Sequence, residues 1–186
     1  MQCRQCGQKF KLWSCKSPAG VLCDACWEKY SQIDMKQIIK NVIRDEEVIH
    51  FGAAYWNTLR SAAGGLVAKA IFGAILGGPG IAMTSKEHRA GIIAATEIEL
   101  ILVDLEALVG EDFTLEKLRK MTLTGKPTTK RVPLRELDLS TEEEKPEAIV
   151  LRISGPISTK ATFPNSVEPG NAAKANDISA FASTRR

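Results

Sequence analysis

The sequence is poor in the residues that enzymes commonly use for acid–base and nucleophilic chemistry. It has only two histidines, His50 and His88, and neither stands beside a recognisable nucleophile motif. The run Gly77-Gly78-Pro79-Gly80 lacks the lysine and hydroxyl residue that complete a phosphate-binding loop. These absences predict a protein that is not an enzyme.

Long runs of one charge and a secretory signal are also lacking. The net charge of the 186 residues is +3, which is too small to indicate nucleic-acid binding by itself. No apolar run of signal-peptide length precedes Cys3. We therefore expect a cytoplasmic location, where thiols stay reduced. Membrane association stays open as an alternative because of the apolar segment 61–83.

Four of the five cysteines form two C-x-x-C pairs near the N-terminus. Sixteen residues separate the pair Cys3 and Cys6 from the pair Cys23 and Cys26. This spacing is typical of a four-thiolate site, in which zinc binds sulfur at tetrahedral corners about 2.3 Å away. We predict one structural zinc ion on these four residues. A redox role is the rival interpretation, but no predicted strand leads into the first pair.

The residues around the two pairs predict a small folded module over 1–30. We expect a short strand at Phe10, Leu12 and Trp13, followed by a turn at 17–20. A returning strand at Val21-Leu22 and a helix that begins at the second pair and continues through 27–30 should follow. This order resembles the zinc-ribbon and treble-clef families. About thirty residues cannot bury enough apolar surface to fold alone, so metal binding would supply about 10 kcal/mol or more of the folding free energy.

Two features of this module allow more than one interpretation. Cys15 is the remaining thiol. It is either a fifth metal ligand that exchanges with one of the four, a sensor cysteine, or a small half-buried residue without such a role. The hairpin also carries three lysines and one tryptophan: Lys9, Lys11, Lys16 and Trp13. Such a group is either a solvent-exposed face or a nucleic-acid-binding surface, so a nucleic-acid-binding zinc ribbon is the alternative function.

A connecting helix is predicted over 31–47. Apolar residues recur there at helical spacing, at Ile33, Ile38, Ile39, Val42 and Ile43. Asp34 is a suitable residue to start the helix, and Arg44 lies near its end. Because one face is apolar, we expect this helix to pack as the first element of the larger domain.

The region 48–186 carries the pattern of an antiparallel β domain followed by one helix. Seven short strands are predicted at Val48–Leu59, Ala90–Thr96, Glu99–Glu106, Met121–Thr124, Val132–Leu139, Ala148–Ile153 and Ile157–Phe163. A final amphipathic helix follows, with Asn171 as its N-cap. Turn-separated strands of this number are typical of a sandwich or barrel.

The order of these elements resembles the pleckstrin-homology-like domains of bacteria. The segments that carry the resemblance are Asp45–Ile49, Gly91–Thr96, Pro133–Leu137 and Asn171–Ala173. The expected fold is a zinc-bound β-hairpin and helix module plus a mainly β pleckstrin-homology-like sandwich or barrel capped by a C-terminal helix. The basic residue that such domains often show after the middle strand is replaced by Glu97-Ile98-Glu99.

The glycine-rich segment 61–83 interrupts the larger domain. It has one charge, Lys69, and a Gly78-Pro79-Gly80 break, so it is a poor membrane span. A shallow membrane-contacting or helix-pairing element and a hydrophobic insert packed on its own domain are the other interpretations. A later basic cluster is either solvated or a phosphate site; it comprises Lys117, Arg119, Lys120, Lys126, Lys130 and Arg131.

Together these features predict a non-enzymatic binding or scaffold protein. We expect a protein partner or self-association, with peripheral membrane contact through 61–83 as a further option. No small-molecule substrate is evident from the sequence.

Overall fold

The computed structural model describes residues 1–11, 15–43, 48–56, 88–109, 112–145 and 147–185. These residues form four α-helices and seven strands. The helices are α1 (Asp24–Ser31), α2 (Met35–Val42), α3 (Leu115–Thr124) and α4 (Ala173–Ser183). The strands are β1 (His50–Trp56), β2 (His88–Ala95), β3 (Glu99–Val109), β4 (Thr128–Pro133), β5 (Asp138–Lys145), β6 (Ala148–Ser154) and β7 (Thr159–Pro164). The segment 61–83, for which membrane contact, helix pairing or local packing is predicted, lies outside the described residues.

All seven strands belong to one antiparallel sheet with the order β4-β3-β2-β1-β7-β6-β5. The mainly β, antiparallel character and the C-terminal helix predicted from the sequence are confirmed. Strands that pair in the sheet are also consecutive in the chain, except for β1 and β7. That pairing is short, since Tyr55 and Trp56 are the residues of β1 aligned with β7.

Strands β1 to β3 are buried on both faces, which explains their nearly continuous apolar composition. Successive side chains of a strand point to opposite faces, and here each face meets a core. Ala54, Ile93 and Leu102 belong to one core, whereas Ala53, Ile92 and Val103 belong to the other. The three strands therefore form the middle layer of the molecule.

Different elements cover the two faces of this middle layer. On the first face, α4 and strands β5 to β7 contribute buried residues such as Ile178, Leu139 and Leu151. On the second face, α2 and α3 contribute Ile38 and Leu118, among others. The two ends of the sheet share the first core, so the sheet curves around it.

The helix predicted in the connector is α2, and its start is as predicted. The Asp34 carboxylate accepts the backbone N–H of Gln37 at 2.8 Å, which caps the first turn. Met35, Ile38 and Ile39 are buried against the middle layer. Arg44, expected near the helix end, lies outside the described residues.

The strand predicted at Met121–Thr124 is wrong, because these residues form the last turn of α3. Thr114 caps this helix by accepting the backbone N–H of Lys117 at 3.3 Å. Leu118 is buried and Leu115 and Met121 pack beside it, at spacings of three residues. Packing of this helical face outweighs the β preference of the threonines at 122 and 124.

The single strand predicted at Val132–Leu139 is two strands. A 3-10 turn at Leu134–Glu136 separates β4 from β5. The interruption in alternation near Arg135 marks this turn, in which Leu134 donates its N–H to the Ile98 carbonyl at 2.9 Å. The first strand, predicted at Val48–Leu59, is confirmed as β1 over His50–Trp56. Residues 57–59 of that prediction lie outside the described residues.

Asn171 is not the N-cap of the final helix. The N-cap is Ala172, which makes no side-chain capping bond. The Asn171 side chain is fully buried and faces the sheet, where its Oδ1 accepts the Ala53 N–H at 3.1 Å. Its Nδ2 donates to the carbonyls of Ala53 and Pro164 at 2.8 and 2.9 Å. The asparagine thus joins β1 to the end of β7, where strand pairing is short.

Candidate metal centre

The first cysteine pair lies on a tight turn at the N-terminus. Gly7 adopts a positive φ of 74°, which glycine accepts readily, and its N–H donates to the Cys3 carbonyl at 2.9 Å. The Cys3 N–H donates to the Gln8 carbonyl, also at 2.9 Å. These bonds fold the chain back so that Cys3 and Cys6 face the same side.

The second pair lies at the start of α1. Cys23 is the N-cap residue of this helix, and Cys26 is in its first turn. Unpaired amides and the helix dipole favour negative charge at a helix N-terminus, and thiolates there are stabilised in the same way. The predicted opening of a helix at the second pair is confirmed.

The four predicted ligands lie together. The sulfur atoms of Cys3, Cys6, Cys23 and Cys26 are all within 4.8 Å of one another, and those of Cys6 and Cys23 are 3.7 Å apart. A tetrahedral ion with metal–sulfur bonds of about 2.3 Å requires sulfur separations of about 3.8 Å. The donor set therefore fits one tetrahedral, thiophilic metal ion.

Four sulfurs so close cannot all carry a negative charge without a cation between them. Burial raises the pKa of the Cys3 thiol, but backbone N–H groups of Cys23, Cys6 and Gln5 lower it further, to about 6. Burial and the neighbouring sulfurs raise the pKa of Cys26 to about 12. The surroundings therefore favour a thiolate at Cys3 and disfavour one at Cys26.

The module has only a small apolar core of its own. Cys3, Leu22 and Cys23 are buried there, and Trp27 and Tyr30 pack around them. One further contact comes from Leu123 of α3. So small a core cannot stabilise a fold without help; the contacts with α3 supply part of it, and a metal ion bound by the four sulfurs would supply more.

Hydrogen bonds made by the side chains of Arg4, Tyr30 and Arg119 attach the module and the chain after it to α3. The Tyr30 hydroxyl bonds the Thr122 hydroxyl at 2.8 Å. Arg119 donates from Nε to the Ile33 carbonyl at 2.9 Å, and Arg4 donates to the Leu123 carbonyl at 3.5 Å. Sequence reasoning missed this surface because it assigned part of α3 to a strand. Thr114 before Leu115 and Leu118 was the available signal, an N-cap followed by helical spacing.

The hairpin predicted between the cysteine pairs is not formed by the described residues. An isolated bridge between Gln2 and Lys9 is the one pairing found in 1–11 and 15–31. Val21 and Leu22 are not in a strand, although Leu22 is buried in the module core. Leu12 and Trp13 lie outside the described residues.

Cys15 is not part of the sulfur cluster. It is partly buried and its thiol donates to the Leu22 carbonyl at 2.9 Å, as expected for a small half-buried residue. Lys9, Lys11 and Lys16 are exposed. Stacking by Trp13 on nucleic acid remains a prediction, since this residue is not described.

The later basic cluster is largely engaged within the protein. Lys117 pairs with Asp112, Lys120 with Glu116 and Arg131 with Glu99. Both histidines contact aromatic rings: His50 lies 5.0 Å from Phe181 and His88 lies 5.0 Å from Tyr55, measured between ring centroids.

None of the helices in the described part of the chain is long and apolar enough to cross a bilayer. Comparison with models of protein families finds no match, and neither do searches of curated proteins and of solved structures.

Proposed function

We propose that the protein is a non-enzymatic binding or scaffold protein. In this proposal a zinc-stabilised N-terminal module is fixed to a pleckstrin-homology-like platform, and the assembly mediates protein association or peripheral membrane contact. The observation that carries it is the four-sulfur cluster on a module that α3 holds against the sheet.

Zinc is the ion that the donor set favours. Four thiolates in a tetrahedral arrangement are the usual ligands of structural zinc, and iron–sulfur centres are the main alternative for such a set. Four protein ligands leave no open position for water or substrate, which supports a structural rather than a catalytic ion.

The strand order supports the pleckstrin-homology-like assignment. A meander of four strands continues through a sharp turn into a meander of three, and a C-terminal helix packs on the shared core. This is the arrangement that the sequence resemblance implies.

Exposed apolar side chains support an association role. Ile98 is 71 % exposed at the turn between β2 and β3, and Ile49 is 37 % exposed. The two lie at the same end of the sheet, since the Ile49 N–H donates to the Ala95 carbonyl. Large apolar side chains grouped at a surface often mark contact sites.

Sedimentation velocity and liposome flotation test the proposal directly. The full chain, a deletion of 61–83 and the substitution Ile98→Ser would be compared at equal zinc content. We expect the full chain to self-associate or to float with liposomes, and at least one variant to lose that behaviour. A full chain that is monomeric and does not float would overturn the proposed roles of both surfaces.

A further inference from the structure

One of the four predicted metal ligands lies outside the apolar core of the metal module. Cys3 and Cys23 are buried in that core, and Cys26 is half-buried beside them. Cys6 is exposed and is not part of the core. Oxidation of cysteine follows thiolate character and exposure, so a buried ligand is protected and an exposed one is accessible. The sulfur cluster is therefore open to solvent on the side of Cys6.

The chain around Cys6 carries positive charge only. Residues 1–23 contain four basic residues and no aspartate or glutamate. Arg4 and Lys9, on either side of Cys6 in the sequence, are both exposed. Positive surroundings stabilise a thiolate, which is the reactive form of cysteine, and a thiol that coordinates a metal ion is deprotonated outright. Cys6 thus combines exposure with thiolate character.

A second sulfur is in place to react with an oxidised Cys6. The Sγ atoms of Cys6 and Cys23 are 3.7 Å apart. Because a disulfide has its sulfurs about 2.05 Å apart, a shift of about 1.7 Å would join this pair. Cys23 lies at the N-terminus of α1, where a thiolate is stabilised. It is therefore suited to attack the oxidised sulfur.

We propose that Cys6 is an oxidation site through which a peroxide releases the metal ion. The Cys6 thiolate attacks one oxygen of hydrogen peroxide, which gives a sulfenic acid and a hydroxide ion. The Cys23 thiolate then attacks that sulfur, which gives a disulfide and a second hydroxide ion. The peroxide is reduced, the two sulfurs are oxidised, and loss of two of the four ligands releases the metal ion. This inference rests on the metal ion of the proposed function.

Labelling of the zinc-loaded full chain tests the first step. A small dose of hydrogen peroxide is added with dimedone, which traps sulfenic acids, and tryptic peptides are analysed by mass spectrometry. Cleavage after Arg4 and Lys9 places Cys6 alone in the peptide 5–9. We expect this peptide to carry at least about ten-fold more label than any other cysteine peptide, because its thiolate is the exposed one.

Zinc release and disulfide mapping test the second step. Without dimedone, peroxide should release zinc to a chromogenic chelator. Peptides 5–9 and 17–29 should then be found joined, and fragmentation should place the bond between Cys6 and Cys23. Reduction with a thiol in the presence of zinc should separate the two peptides again.

A variant that keeps a fourth ligand identifies Cys6 as the point of attack. Cys6→His retains a site of three cysteines and one histidine, which also binds zinc, and it should slow peroxide-driven zinc release about ten-fold. Cys15→Ser is the matched control and should leave the rate unchanged, because this thiol lies outside the sulfur cluster. If Cys6→His does not bind zinc, the labelling of the unaltered chain decides.

The proposal is overturned if all cysteine peptides are labelled to the same extent, or if Cys6→His releases zinc as fast as the unaltered chain. It is equally overturned if Cys6 is oxidised and zinc stays bound. Zinc content is measured before peroxide is added. A chain without zinc at that point refutes the metal site and this inference with it, whereas a zinc-loaded chain that gives any of the preceding results refutes this inference alone.

Discussion

At the scale of single residues, a buried polar side chain can make structural hydrogen bonds that its position in the sequence does not predict. Asn171 occupies a position typical of a helix cap, yet its amide joins β1 to the end of β7 through three hydrogen bonds. Gly52 leaves room for this arrangement, because a Cβ there would lie 2.6 Å from the Phe163 ring and 3.2 Å from the Asn171 Oδ1. A side-chain amide replaces strand pairing at this junction.

Asn171→Ala should destabilise the protein by about 2–4 kcal/mol, since it leaves one buried N–H and two carbonyls without this partner. Urea unfolding followed by circular dichroism measures the loss. Asn176→Ala, at an exposed position of α4, is the matched control and should be neutral or slightly stabilising, because alanine is the better helix former. Equal effects of the two substitutions would contradict the role given to Asn171.

The cysteines give a second prediction at this scale. Cys23→Ser removes one of four ligands and should abolish tight metal binding, whereas Cys15→Ser should leave about one ion per chain. Elemental analysis of the purified, reduced proteins measures the metal directly. Retention of a full ion by Cys23→Ser, or its loss from Cys15→Ser, would show that the ligand set is different.

At the scale of elements, α3 is the piece that links the metal module to the sheet. It contacts α1, α2 and β3, and Leu118 is buried in the core that α2 forms with the middle layer. Its side chains Arg119 and Thr122 reach the N-terminal region. The helix therefore connects the module that carries the four-sulfur cluster to the sheet.

A double-mutant cycle on Tyr30→Phe and Thr122→Val measures this coupling. We expect an interaction free energy of about 0.5–1.5 kcal/mol, the usual net contribution of one hydrogen bond. Both substitutions keep the shape of the side chain, so packing is preserved. Strictly additive effects on urea unfolding would mean that the hydroxyl pair does not hold the module.

Elements with a strong local signal were predictable from the sequence, and those fixed by tertiary packing were not. The apolar runs of β2 and β3 and the Ser154-Gly155-Pro156 turn predicted the strands around them, and cysteine spacing predicted the cluster of four sulfurs. The last turn of α3, at Met121–Thr124, was predicted as a strand because the buried face of this helix is narrow and packs on residues distant in sequence. The contacts that join Tyr30 to Thr122 and Ile33 to Arg119 could not be foreseen, since these residues are far apart in sequence.

At the scale of the whole molecule, the structure has two parts that differ greatly in the size of their apolar cores, and so in how far each can be stable by itself. The sheet has two large cores, and the metal module has a few buried residues. Binding of a structural zinc ion contributes about 10 kcal/mol or more to small domains of this kind. The module should therefore depend on the ion, and the sheet should not.

Removal of the metal with a chelator tests this difference. We expect amide protons of α1 to lose protection from hydrogen exchange, and those of β1 to β3 to keep it. Adding zinc back should restore the protection of α1. Loss of protection across the sheet as well would show that the ion stabilises the entire fold.

The middle layer has a consequence for how the chain acquires its structure during synthesis. Strands β1 to β3 need α2 and α3 on one side and α4 on the other, and α4 leaves the ribosome after the seven strands described above. Until α4 has packed, the side chains of Ile93, Leu100 and Leu102 are only partly shielded from solvent. A nascent chain halted before residue 173 should bind chaperones that recognise apolar surface, and release should coincide with the emergence of α4.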